Sequence, residues 1–177
     1  PYQGQQAMVL GDGAIKDMWE VPYDSADANR VEHEVSAVVD PTGPVRACTQ
    51  LTFHGGNAYG FRHALQDLTA DKRQDSIRAW TMPKSANIQF DSLVVQNDSD
   101  YYRPLKIALY YGIPNAVAIT PEEIVVQTGD LIAPIWDYRV NDDSADRVND
   151  IEVSYNQKYR RTLSLTVPAA WRLVSSL

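Results

Sequence analysis

From residue 31 onward, apolar and polar positions alternate with a period of two, the pattern of strands that bury one face. In Val31-Glu32-His33-Glu34-Val35-Ser36-Ala37-Val38-Val39 the odd positions are mostly apolar, and the cluster Asp40-Pro41-Thr42-Gly43-Pro44 predicts a turn after it. In the next strand Val45, Ala47, Leu51 and Phe53 share one face, while Arg46, Cys48, Gln50 and His54 share the other. Gly55-Gly56-Asn57 then predicts a hairpin turn into a strand carrying Tyr59, Phe61 and Leu65. The alternation returns at Leu105, Ile107, Leu109 and Tyr111, at Ile132, Trp136, Tyr138 and Val140, at Ile151, Val153 and Tyr155, and at Leu163, Leu165 and Val167. Between Ile88-Phe90 and Leu93-Val95 its phase slips by one residue, which predicts a kinked strand, through a β-bulge or a strand bend.

Helix is expected only in short pieces. Residues 63–73 have room for two or three turns, and Thr120-Pro121-Glu122-Glu123 carries a Thr N-cap pattern with proline at the first helical position. Eight or more short strands separated by Gly, Pro and Asp turns predict an all-β fold, a single eight-stranded antiparallel jelly-roll barrel or sandwich. One such domain is expected to span residues 1–177, with residues 1–30 an extended N-terminal arm or accessory strands.

Composition narrows the setting. Seventeen aspartates stand against six glutamates and eleven arginines against five lysines, with a formal net charge of −7. Aspartate is favoured in turns and glutamate is depleted in strands, which accounts for part of the bias. The scarcity of lysine adds a second reading, a surface that stays hydrated in concentrated salt, where a Debye length of about 3 Å screens its self-repulsion. The only adjacent basic pairs are Lys72-Arg73 and Arg160-Arg161, so no basic stripe marks a direct nucleic-acid contact. The single cysteine, Cys48, forms no internal disulfide, and residues 1–6 lack the charged-then-apolar order of a signal peptide.

No catalytic signature is set among the strands, so no enzyme activity and no cofactor is assigned. His33 and His63 read as packed, hydrogen-bonded residues, and His54 as a residue flanking the Gly-Gly turn. A metal pair of His54 and His63 across the expected hairpin lacks the third and fourth donors that one ion needs. There is no Gly-x-Ser-x-Gly elbow and no phosphate-binding glycine loop. Two acidic loops place several oxygens close together, and Asp98, Asp100, Asp142, Asp143 and Asp146 are their Ca²⁺ candidates, with solvated turns as the alternative. Asn97-Asp98-Ser99 is also a glycosylation sequon. Tyr101-Tyr102, Tyr110-Tyr111, Trp136 and Tyr138 are candidates for a sugar-stacking platform, although alternate members of each tyrosine pair must point to opposite faces of a strand.

A β-rich chain of this length, ending its pattern in Tyr159-Arg160-Arg161-Thr162-Leu163-Ser164-Leu165-Thr166-Val167-Pro168, resembles a viral jelly-roll capsid protein. With Asp24-Ser25-Ala26-Asp27 and the acidic residues 141–146, it is similar to the smaller major capsid protein of icosahedral haloarchaeal viruses with an internal membrane. The resemblance implies an upright single barrel, located in the virion, that forms homo-oligomers and joins a second, larger capsid protein. It also implies proximity to an internal viral membrane without insertion. The polar strand faces expected to make such contacts are Arg46, Gln50 and Thr52 on one strand and Thr162, Ser164 and Thr166 on another. The alternative is a carbohydrate-binding β-sandwich module, and a third reading, a cupin-like enzyme, would need a cluster of histidines and a carboxylate.

Overall fold

The computed structural model describes residues 4–40, 42–84, 87–114, 116–119, 124–131 and 156–172. Its first element is a hairpin of β1 (Gln6–Gly11) and β2 (Ala14–Glu20), turned at Asp12 and Gly13. Both turn residues have positive φ, 53° and 78°, the requirement of a two-residue turn that matches strand twist. This hairpin lies within the segment expected as an arm or accessory strands, and it forms a sheet of its own.

The alternating segments form β3 (Arg30–Val38) and β4 (Val45–Phe53), antiparallel neighbours whose odd residues are buried and whose even residues mostly face out. After them come helices α1 (Gly55–Leu65) and α2 (Ala70–Thr81), then β5 (Gln89–Gln96) and β6 (Leu105–Ile113). A small hairpin of β7 (Val117–Ile119) and β8 (Ile124–Val126) precedes a short 3-10 turn at Thr128–Leu131, and β9 (Lys158–Thr166) ends the series. Five strands make one sheet in the order β5-β6-β4-β3-β9. The expected irregularity is present, as a register shift between Phe90 and Ser92 against β6.

The fold is thus mostly β, and it differs from the sequence expectation in three places. First, residues 55–65 are a helix and not the second strand of a hairpin. Tyr59, Phe61 and Leu65 fit a period of two, but Ala58, Phe61 and Leu65, at spacings of three and four, are the apolar residues that are buried. The helix starts where Gly55, at φ 53°, passes so close to the Ala28 carbonyl and Asn29 side chain that a Cβ would clash. Asn29 Oδ1 accepts the Gly56 N–H at 2.7 Å, and the Asn57 side-chain amide donates back to the Asn29 carbonyl. Second, the helix expected within 63–73 is the junction of two longer ones, broken at 66–69, with Thr69 at the N-cap position of α2. Third, β9 runs parallel to β3, whereas antiparallel pairing was expected throughout. Alternation fixes which residues share a face and carries nothing about a neighbour's direction.

Among the described residues, the strands make this single mixed sheet and two separate hairpins rather than two facing sheets. The two helices cover the odd-residue face of the sheet. Phe61 of α1 packs on Phe53 with ring centroids 4.7 Å apart, and it meets Trp80 of α2 in a T-shaped contact with centroids 5.4 Å apart. Ile77, Leu105, Ile107, Leu109 and Val45 are almost wholly buried in the same cluster. Each such side chain contributes roughly 1.5–3 kcal/mol relative to exposure. Among the described residues no helix is long and apolar enough to cross a membrane. The alternating segments 132–140 and 151–155, the capping motif at 120–123, and Asp142, Asp143 and Asp146 lie outside the described residues.

Candidate functional site

The even-numbered residues of the sheet form its other face, which no helix among the described residues covers. Register places Arg46 opposite Val38, Gln50 opposite Glu34 and Thr52 opposite Glu32. On the far side of β3, Glu34 faces Thr162, Ser36 faces Ser164 and Val38 faces Thr166. The two polar triplets expected to make contacts therefore lie on one surface, separated only by β3. Arg46, Gln50, Thr162, Ser164 and Thr166 are exposed, and Thr52 is half-buried. Toward β5 the face becomes more apolar, with Tyr110 and Val94 exposed and Ala108 and Cys48 half-buried. Tyr110 lies directly across from Cys48, and the electrostatic influence of that thiol, with its hydrogen bond, raises the phenol's pKa.

Charge on this surface runs against that of the whole chain. Arg30, Arg46, Lys106, Lys158 and Arg160 occupy even positions there, against Glu32 and Glu34. Arg30 Nε donates to Glu32 at 3.2 Å, and His54 Nε2 lies 3.4 Å from the other oxygen of the same carboxylate. Arg30 and His54 together favour the ionised Glu32, whose pKa stays below the ordinary value despite the opposing cost of burial. Lys158 is met at 2.7 Å by Asp27 from the segment before β3, and this contact lowers the pKa of that aspartate.

A second surface lies at the end of the β5–β6 hairpin, where the loop 97–104 meets α1. Arg62 is buried, and its guanidinium donates to three backbone carbonyls of this loop: Asn97 at 2.7 Å, Asp100 at 2.8 Å and Arg103 at 2.8 Å. Asn97 adopts φ 61° and closes the loop by donating to the Pro104 carbonyl at 2.9 Å. The carbonyls that a cation would seek are thus already gathered on the chain's own arginine. The two Ca²⁺ candidates found here point to other arginines: Asp98 lies 3.6 Å from Arg73, and Asp100 lies 3.4 Å from Arg103. Among the described residues no three His, Cys, Asp or Glu side chains come close enough to share a metal ion.

Above this loop sits an exposed aromatic group that sequence reasoning found only in part. Tyr101 tilts toward Tyr59 at 6.3 Å, Tyr59 stacks in near-parallel on His63 at 6.0 Å, and Arg62 lies 5.3 Å from the Tyr101 ring centre. Of the residues expected to form a sugar platform, Tyr101 belongs here, Tyr102 is fully exposed beside it, Tyr110 lies on the open sheet face and Tyr111 in the core. Trp136 and Tyr138 fall outside the described residues. Tyr59, expected on a strand, joins this group because its segment is a helix. His63, expected to pack with Phe61, is exposed instead, since the two are only two positions apart on a helix and point apart.

The histidines do not converge. His33 is fully buried on the helix-covered face, opposite Arg161 of β9. Packing was expected for it and is found; hydrogen bonding was also expected, yet neither ring nitrogen has a partner among the described residues. Burial, helped by the positive charge of Arg161, lowers its pKa from 6.5 to about 4, so the ring is neutral at pH 7. The buried Tyr111, by contrast, is well satisfied: its hydroxyl lies 2.8 Å from Thr49 Oγ1 and 3.1 Å from the Leu131 carbonyl. Burial raises its pKa, and the protonated phenol serves as a structural tie. Compared with known proteins, the chain matches no family model, no curated protein and no solved structure.

Proposed function

We propose that this protein is a structural subunit of a symmetric shell, a capsid protein that meets its neighbours through the open sheet face. The observation that carries the reading is this face itself: a five-stranded surface, polar and rich in cations on a chain of net charge −7, with both expected contact triplets side by side on it. A polar sheet face docks without leaving a large apolar patch in water before assembly. In the specific form suggested by the sequence resemblance, the shell is the virion of a salt-adapted virus and contains a second barrel protein. The reading rests on the open face and not on jelly-roll topology. An eight-stranded barrel would need further strands from the alternating segments 132–140 and 151–155.

Fractionation of the native source tests this. The protein is expected in large particles at stoichiometric amounts with a second β-rich protein, released as small oligomers when salt is lowered. Recovery only as a free monomer under every salt condition would overturn it. One observation favours a second reading, a sugar-binding module. Tyr59, His63 and Tyr101 form an exposed aromatic group beside polar loop residues, an arrangement suited to stacking on a pyranose ring. Binding on a glycan array that is lost in Tyr101→Ala would support that alternative.

A further inference from the structure

We propose that the β1–β2 hairpin is a docking arm that lies across the open sheet face of a second copy of this chain, in a head-to-tail contact. This deepens the assembly reading above and rests on it. On one side of the hairpin Met8 faces Met18 and Leu10 faces Ile15. These four side chains form a continuous apolar strip, and all are between 51% and 68% exposed. A two-stranded hairpin is only marginally stable alone in water. This one forms its own sheet and leaves its apolar strip in solvent, so a partner surface that covers the strip also stabilises the arm.

Three features select the open face of another copy as that surface. The first is charge. Residues 6–20 carry Asp12, Asp17 and Glu20 against Lys16 alone, so the arm is acidic. The sheet face carries five cations against Glu32, Glu34 and the neighbouring Asp27, and so attracts it. The second is apolar matching, since Val94, Tyr110 and Val38 are exposed on that face and can cover the strip. The third is size. Five strands spaced about 4.8 Å apart span roughly 19 Å, and a seven-residue strand is roughly 23 Å long, so the arm reaches across the whole sheet.

Both surfaces are exposed on the same molecule and neither is complementary to itself. In this head-to-tail arrangement each copy offers an arm to one neighbour and a face to another, which builds rings or extended arrays, whereas two copies that exchanged arms reciprocally would close into a dimer. A shell needs contacts of that kind.

Sedimentation velocity of the full chain over a concentration series tests the arm. The wild type is expected to self-associate. An arm variant, Met8→Ser with Leu10→Ser, and a face variant, Lys106→Glu with Tyr110→Ala, are each expected to lose self-association by about tenfold or more, equivalent to about 1.4 kcal/mol. Mixed together, they should form a one-to-one dimer and nothing larger, because one retains a face and the other an arm. Glu20→Lys keeps the strip and the hairpin register and should weaken association several-fold. A face variant that still associates like the wild type, a mixture that forms no heterodimer, or an unchanged Glu20→Lys protein would each overturn the proposal. Should the purified chain stay monomeric at every concentration while native particles contain it, the arm is overturned and the shell reading stands.

Discussion

The two faces of the five-stranded sheet are made by alternate residues of the same strands, and they lead opposite lives. The odd residues of β3, β4 and β6 lie under two helices, with Val45 and Leu109 completely removed from water. The even residues, one position away in each case, are left open and carry hydroxyls, amides and most of the sheet's charge. Folding energy is concentrated on one side, and the other is free to change without loss of the fold. A surface under so little structural demand is where contacts with other molecules can be built.

Substitutions on the two faces should therefore differ sharply. The largest effect is expected from Leu109→Ala, which opens a cavity against the helices and should cost about 2–5 kcal/mol in a denaturant titration. Next comes Arg62→Met, which leaves the carbonyls of Asn97, Asp100 and Arg103 without their shared donor. A loss of about 2–3 kcal/mol is expected, with faster amide exchange confined to the loop 97–104.

The buried histidine gives the covered face a pH signature. With a folded pKa of about 4 against an ordinary 6.5, His33 binds a proton more readily in the unfolded chain between those two values. Its contribution is complete above pH 6.5 and is lost as pH falls toward 4, by about 2–3 kcal/mol. Melting curves of the wild type should show this step, and His33→Leu should remove it. At the small end, Gln50→Ala on the open face should change stability by no more than about 0.5 kcal/mol while still weakening assembly. A large stability loss at this position would erase the distinction between the faces.

Much of that distinction was legible in the sequence, because a strand with one buried side writes its faces directly into alternate residues. The split of Val45, Ala47, Leu51 and Phe53 from Arg46 and Gln50 is such a case, and the slip between Phe90 and Ser92 was readable for the same reason. Residues 59–65 were not, since Phe61 and Leu65 satisfy both the strand and the helix period, and only Ala58 and Leu68 tip the pattern toward helix. Nor was the role of Arg62, whose three carbonyl acceptors lie 35 to 41 residues further along the chain. That Thr162, Ser164 and Thr166 share a surface with Gln50 depends on β9 pairing with β3, a tertiary choice that leaves no local mark.

Cys48 offers the most direct test of the open face. It is the chain's single cysteine, half-buried in the middle of that surface between Tyr110 of β6 and Ser36 of β3. Its thiol can be labelled with a small alkylating reagent in the free chain and in assembled particles under the same salt, and the rates compared by mass spectrometry. Contact through the open face should slow labelling at least tenfold on assembly, with the rate recovering when the particles dissociate. Equal labelling rates in the two states would mean that this face remains open to solvent in the shell, and would contradict its assignment as the contact surface.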